Sequence, residues 1–142
     1  MPRVIYLTVA EAIEVHRQLI QEFGGIYGIR DRGLLEAAIF RPQSGYYDDL
    51  VHEAAALMES LVNNHAFIDG NKRASFAVTD TFLRLNGYYL EVEGPSAHKF
   101  ITDSIGKRQF RIGPFGNGSP SMFGLLKETK QLSKSKPRRS AW

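Results

Sequence analysis

The sequence predicts a mainly α domain: about six helices, at most one small strand pair and a basic C-terminal tail. Three observations carry this. Apolar residues recur at helical spacing in most of the chain, alternation is confined to a weak stretch at Tyr88–Val92, and glycine or proline punctuates each periodic segment. A chain of 142 residues is the size of one ordinary domain. Its 43% hydrophobic and 23% charged residues speak against disorder and against a membrane class. The N-terminus lacks an apolar core of signal-peptide length, so export is not expected. The absence of cysteine fits a reducing cytoplasm.

The first helix is announced by Thr8 and Glu11, a capping box in which the hydroxyl accepts from the amide three residues on and the carboxylate reaches back. Val9, Ala12, Ile13, His16, Ile20 and Phe23 follow at helical spacing, and Gly24-Gly25 stops the run. His16 on that stripe is expected to be a packed core or rim histidine rather than a ligand. Gly28 to Asp31 reads as a turn, with Asp31 capping a short helix through Leu34, Leu35, Ala38 and Ile39 that ends at Arg41-Pro42. Gln43 to Leu50, with Tyr46-Tyr47, reads as a surface loop covering the core edge; a flap over a site is the sharper alternative.

His52 to Asn63 predicts a buried helix on Ala54, Ala55, Met58, Leu61 and Val62. Asn71 to Leu85 predicts a second, on Ala74, Ala77, Val78, Thr81, Phe82 and Leu85, ending at Asn86-Gly87. Together they form a helical hairpin. Tyr88–Val92 is a short extended piece, and Gly94-Pro95-Ser96 restarts a helix through Phe100, Ile101 and Ile105. The helical domain is placed at 1–112. Residues 113–142 follow as a Gly/Pro linker, a short helix over 122–132 and a solvated basic tail. Residues 1–126 carry 12 Lys+Arg against 14 Asp+Glu, whereas the last sixteen carry six cations against Glu128 alone. The pI of about 9.3 therefore belongs to the tail.

The turn of the hairpin, His65-Ala66-Phe67-Ile68-Asp69-Gly70-Asn71-Lys72-Arg73, is dense in chemistry. Free amides at a helix start bind anions together with the helix dipole, and Gly70 lets the backbone approach a phosphate without a Cβ in the way. Arg73 can grip phosphate oxygens bidentately, Lys72 acts as a point charge, and Asn71 adds neutral donors. Asp69 suits Mg²⁺, which is usually held by one or two carboxylates plus substrate phosphates. His65 could take a proton from an incoming hydroxyl. Each residue also has a bland reading as turn, cap or solvated face; the combination is what points to a site.

The pattern His-x-Phe-x-Asp-Gly-Asn-x-Arg resembles the signature of the Fic/Doc family, and specifically its death-on-curing toxin branch. Leu7-Thr8, Phe23-Gly24-Gly25, Gly28 to Asp31, Leu34-Leu35-Glu36, Arg41-Pro42, Ala54-Ala55-Ala56 and Leu85 to Tyr88 resemble that branch in order and spacing, so about residues 5–112 are covered. The resemblance implies a compact helical bundle and an ATP-dependent transferase. His65 would be the base, Asp69 would help hold Mg²⁺, Gly70 and Asn71 would form the anion nest, and Asn71, Lys72 and Arg73 would meet the nucleotide phosphates. AMP-transferring members usually carry glycine where Lys72 stands. The branch with lysine there moves the γ-phosphate of ATP onto a threonine of translation elongation factor Tu and arrests translation. Gly70 matches the pattern of the AMP-transferring members and Ala66 replaces the proline commonly found after the histidine, and AMP transfer is the alternative. No Ser/Thr-x-x-x-Glu self-inhibitory pattern occurs, so the resemblance implies an antitoxin acting in trans, with nucleic acid met only indirectly through that complex.

Other signatures fail. Gly106-Lys107 is no P-loop, because Ile101 stands where the first glycine should be and Arg108 follows the lysine, and no His-Glu-x-x-His occurs. The alternative from another class is a nucleic-acid or ribosome-binding module using the tail, whose affinity would be steeply salt-dependent.

Overall fold

The protein, analysed as a computed structural model, is described at residues 3–91, 112–116, 118, 119, 121 and 126. Four α-helices and one antiparallel strand pair make up the described residues. They are α1 (Val9–Phe23), α2 (Arg32–Phe40), α3 (Leu50–Asn64), α4 (Asn71–Leu85), β1 (Tyr88–Leu90) and β2 (Ile112–Pro114), with a short 3₁₀ turn at Arg41–Gln43. The mainly α class is as the sequence predicts. The expected helices over 94–105 and 122–132 and the tail lie outside the described residues, apart from Leu126, which is helical and buried. No helix among the described residues is long and apolar enough to cross a membrane.

The capping box at α1 forms in full: Glu11 donates its amide to the Thr8 hydroxyl at 3.1 Å, and the Thr8 amide donates to the Glu11 carboxylate at 2.9 Å. Asp31 caps α2 through the Leu34 amide at 3.0 Å. The buried stripe of α1 is rotated from the expected one. Ala12, Val15, His16, Leu19 and Phe23 are buried, while Val9, Ile13 and Ile20 sit at its margin. Consecutive apolar residues leave the centre of a helical face undetermined by periodicity alone.

α3 begins two residues earlier than the apolar pattern indicates. Asp49 supplies the reason: its carboxylate accepts from the His52 amide at 2.9 Å and lies 2.6 Å from His52 Nδ1. α4 is the central element, packed by α1, α3 and β1, and every residue from Arg73 to Asp80 is buried. Thr81 and Leu85, expected in the core, lie one turn apart on its outward side instead, Thr81 half-buried and Leu85 exposed, while Phe82 and Leu83 between them are buried. Phe67, Phe76, Phe82, Leu57 and Leu61 are among the fully buried side chains around it.

Gly113-Pro114, expected to open a linker, instead pairs with Tyr88–Tyr89 in β2. The Tyr89 ring and the Glu91 carboxylate lie where a Cβ at 113 would be, so glycine permits the close pairing. The 43–50 segment is a surface loop: Tyr46 is 82% exposed, and Tyr47 is held by Arg41, whose Nε donates to its hydroxyl at 2.6 Å. Arg41 also donates to the Ser60 hydroxyl at 2.9 Å and pairs with Glu59 at 3.0 Å, tying the loop to α3.

The Asp49 cap gives a pH-dependent expectation. The His52 amide bond holds its carboxyl below the ordinary value of 3.8, so the cap's stabilisation is present above 3.8 and is lost as pH falls through the lowered value. Asp49→Ala is expected to cost about 1 kcal/mol at neutral pH. In urea denaturation its deficit against the unsubstituted protein should shrink as pH falls below 3.8 and close beneath the lowered carboxyl value, and a deficit that does not shrink with falling pH would refute the cap assignment.

Candidate active site

The site is built where α3 stops and α4 starts. His65 ends α3 in the left-handed conformation, φ 50° and ψ 51°, and among the described residues it alone is a non-glycine with positive φ. A side chain in that region costs roughly 1–2 kcal/mol. Arg30 holds the turn: its Nε donates to the His65 carbonyl at 2.6 Å and its Nη2 to the Asn64 carbonyl at 2.8 Å. A cation on the last carbonyls of a helix also complements the helix dipole. The backbone bends out of α3 with the His65 side chain exposed.

The next residues are laced to the 28–31 turn. The Ala66 carbonyl accepts from the amides of Arg30 at 2.7 Å and Asp31 at 3.0 Å; Ile29 and Phe67 form an antiparallel bridge, and the Ile68 amide donates to the Gly28 carbonyl at 3.1 Å. Phe67 is buried, its ring stacked on His16 with centroids 3.9 Å apart. Phe67 thus pins the loop in the core, while Ile68 beside it is exposed. The Ile68 amide bonds Gly28, and its side chain lies over that glycine, where a Cβ at position 28 would come within 2.6 Å of Ile68 Cδ1.

Asp69 is held through its backbone and its side chain. Its carbonyl lies 2.8 Å from His16 Nε2; because a carbonyl only accepts, Nε2 carries the proton. Its carboxylate accepts from the Ile26 amide at 3.0 Å and from the Gly70 amide at 2.9 Å. Each oxygen keeps a further lone pair, so the carboxylate retains capacity for a cation. The Gly24-Gly25 pair therefore does more than end α1: a Cβ at Gly25 would lie 2.7 Å from the Asp69 carboxylate.

Gly70 begins α4 at φ 75°, and no side chain caps this helix start. The first-turn amides have no carbonyl one turn earlier in the helix to bond, which is the feature that an anion site at this helix start would use. The Asn71 side chain is committed elsewhere, its Oδ1 accepting from the Phe67 amide at 3.0 Å and its Nδ2 donating to the Phe67 carbonyl at 2.9 Å. That pair of hydrogen bonds to Phe67 shapes the loop and leaves the backbone amide as the donor Asn71 has to offer at the helix start. Lys72 is half-buried on the first turn, its carbonyl accepting from the Ser75 hydroxyl at 2.6 Å. Arg73 is buried, with its guanidinium 4.5 Å from the centre of the Phe23 ring. Burial pulls its pKa down while the nearby Asp69 charge opposes that shift.

The structure thus gathers Asp69, Gly70, Asn71, Lys72 and Arg73 around one helix start, with His65 exposed at the other end of the turn. Sequence reasoning missed Arg30, Phe23 and Gly25 as supports, and gave His16 no role at the site. Gly25, the second of two glycines where one suffices to stop a helix, was the available signal. Among the described residues no group of three or more His, Asp or Glu could hold a metal ion by itself.

Gly25→Ala is expected to cost about 1–3 kcal/mol, since a side chain at φ +115° is strained and would press on Asp69. Urea denaturation measures this, and an unchanged midpoint would remove Gly25 from the support of the site.

The profile described as Fic/DOC family matches residues 6–83, from just before α1 to near the end of α4. The chain is 47% identical over 76 residues to Toxin Doc of Mycolicibacterium smegmatis, a match covering 50% of this chain and 58% of that protein. It is 34% identical over 86 residues to Protein kinase doc of Escherichia phage P1, covering 58% of this chain and 68% of that one. The chain thus spans less than two thirds of the first relative's length and slightly more of the second's.

Proposed function

The chain belongs to the Fic/DOC family, and from that premise we propose that it is a toxin-type protein kinase that moves the γ-phosphate of ATP to a hydroxyl of a target protein. The observation that carries the proposal is the uncapped start of α4, with Arg73 buried beneath it, Asp69 held beside it and His65 exposed at the far end of the same turn. Lys72 and the name of the phage relative, a protein kinase, support phosphate transfer over AMP transfer.

Phosphoryl transfer requires mainly positioning and charge neutralisation. The first-turn amides of α4, Lys72 and Arg73 would bind the polyphosphate. The Asp69 carboxylate, both of whose oxygens keep a lone pair, fits Mg²⁺ shared with substrate phosphates, and when bound the ion would neutralise their charge. His65 would accept the proton of the target hydroxyl as its oxygen bonds the γ-phosphorus. The bond from that phosphorus to the bridging oxygen breaks, and ADP leaves. An exposed imidazole suits a base that must meet a macromolecular substrate.

The target we favour is translation elongation factor Tu, with arrest of translation as the outcome and an antitoxin in trans as the control. These readings rest on the death-on-curing resemblance and on the toxin name of the mycobacterial relative. A cytoplasmic site of action accompanies that target. AMP transfer remains the second reading, favoured by Gly70 in the motif.

Purified protein incubated with a cell lysate and ATP labelled at either the α or the γ phosphate separates the two. Label from γ on a protein of the size of elongation factor Tu is expected, and label from α would replace the kinase by an AMP transferase. His65→Ala should reduce transfer by about 10²–10⁴-fold. Transfer that survives this substitution would take His65 out of the mechanism.

A further inference from the structure

We infer that His16 is a positioning residue of the active site, acting from α1 through the Asp69 carbonyl to orient the Asp69 carboxylate and the Gly70 amide; the inference rests on the transferase reading above. His16 is 1% exposed and lies deep in α1, against Phe67 at 3.9 Å and the Tyr27 ring at 5.9 Å. A phenylalanine or leucine would fill that space with less desolvation. An imidazole buried there must hydrogen-bond or lose free energy, and its Nδ1 has no partner among the described residues. The one bond that accounts for a polar ring is therefore Nε2–H to the Asp69 carbonyl, at 2.8 Å.

That bond has geometric reach because the peptide unit is planar. Fixing the direction of the Asp69 carbonyl fixes the opposed N–H of Gly70 across the same plane. The Gly70 amide donates to Asp69 Oδ1 at 2.9 Å, so the plane set by His16 also sets the carboxylate. Ile26 fixes the other oxygen at 3.0 Å. From His16 the orientation passes through one carbonyl, one peptide plane and one amide to the group that would share Mg²⁺ with the nucleotide.

Two substitutions separate the donor from the ring. His16→Phe keeps the stacking and removes the donor; His16→Gln removes the ring but can place an amide N–H near the same carbonyl. His16→Leu serves as a second variant without a donor. Binding of ATP is measured by calorimetry across a Mg²⁺ titration, each variant in a His65→Ala background so that no turnover interferes, and thermal melts report folding. Transfer from γ-labelled ATP is measured with His65 intact.

The Mg²⁺ concentration giving half-maximal ATP binding should rise by about 10–100-fold in His16→Phe and His16→Leu, with kcat falling in the same range. His16→Gln should recover most of both. A purely structural role predicts lower melting temperatures with an unchanged Mg²⁺ midpoint in the folded fraction, and that result overturns the inference. So does a His16→Gln variant as impaired as His16→Phe, or failure of both donor-less variants to fold. Absence of transfer by the unsubstituted chain, with the Mg²⁺ midpoint still shifted in His16→Phe, would sink the transferase reading while sustaining the role of His16.

Discussion

An α-helix leaves its first amides without intrahelical partners, and a protein must cap them, hydrate them or use them. In this chain the problem falls at the start of α4, the helix around which the other elements pack. Gly70 offers no side chain to cap it, and Asn71, a residue that often caps, turns its amide back to Phe67 instead. The consequence is a bare, positively polarised helix end held rigidly at its base by the core. Everything near it either fixes the approach of the chain or supplies charge.

The approach is fixed by unusual means. A left-handed histidine, an arginine clamped on the two carbonyls before the turn, and a short ladder to the 28–31 segment hold the backbone in one path. Such strain persists only where the surroundings over-determine it. Here the surroundings include α1 on one side and the loop before α2 on the other. The turn between α3 and α4 is thus a product of the whole first half of the chain, although it is written in nine residues.

That division explains what could be read from the sequence. The helices were legible because capping residues and 3.6-residue spacing are local signals, as with Thr8 and Glu11 or Asn86-Gly87. The motif residues were legible because several polar types crowd a segment between two apolar helices. The start of α3 was missed because Asp49 caps it before the apolar pattern begins. β2 was missed because Ile112-Gly113-Pro114 has linker composition and forms a strand only through its pairing with β1. His16 and Gly25 were legible as residues but not in their role, since each matters through Asp69, and no local pattern encodes a contact with a residue so far along the chain, 53 positions in the case of His16.

Charge follows the same logic. Arg73 is buried against Phe23, so its guanidinium has lost much of its hydration before any anion arrives. A cation already stripped of water interacts more strongly with a phosphate than one at the surface, because the screening is weaker and less solvent must be displaced. The counterweight is Asp69, whose charge favours the ionised arginine and yet would repel an approaching polyphosphate. A divalent cation shared between Asp69 and the phosphates would resolve that conflict, turning a repulsive neighbour into a ligand. The Mg²⁺–nucleotide reading proposed from the helix end would thus also answer the opposition between the buried Arg73 and the half-buried Asp69.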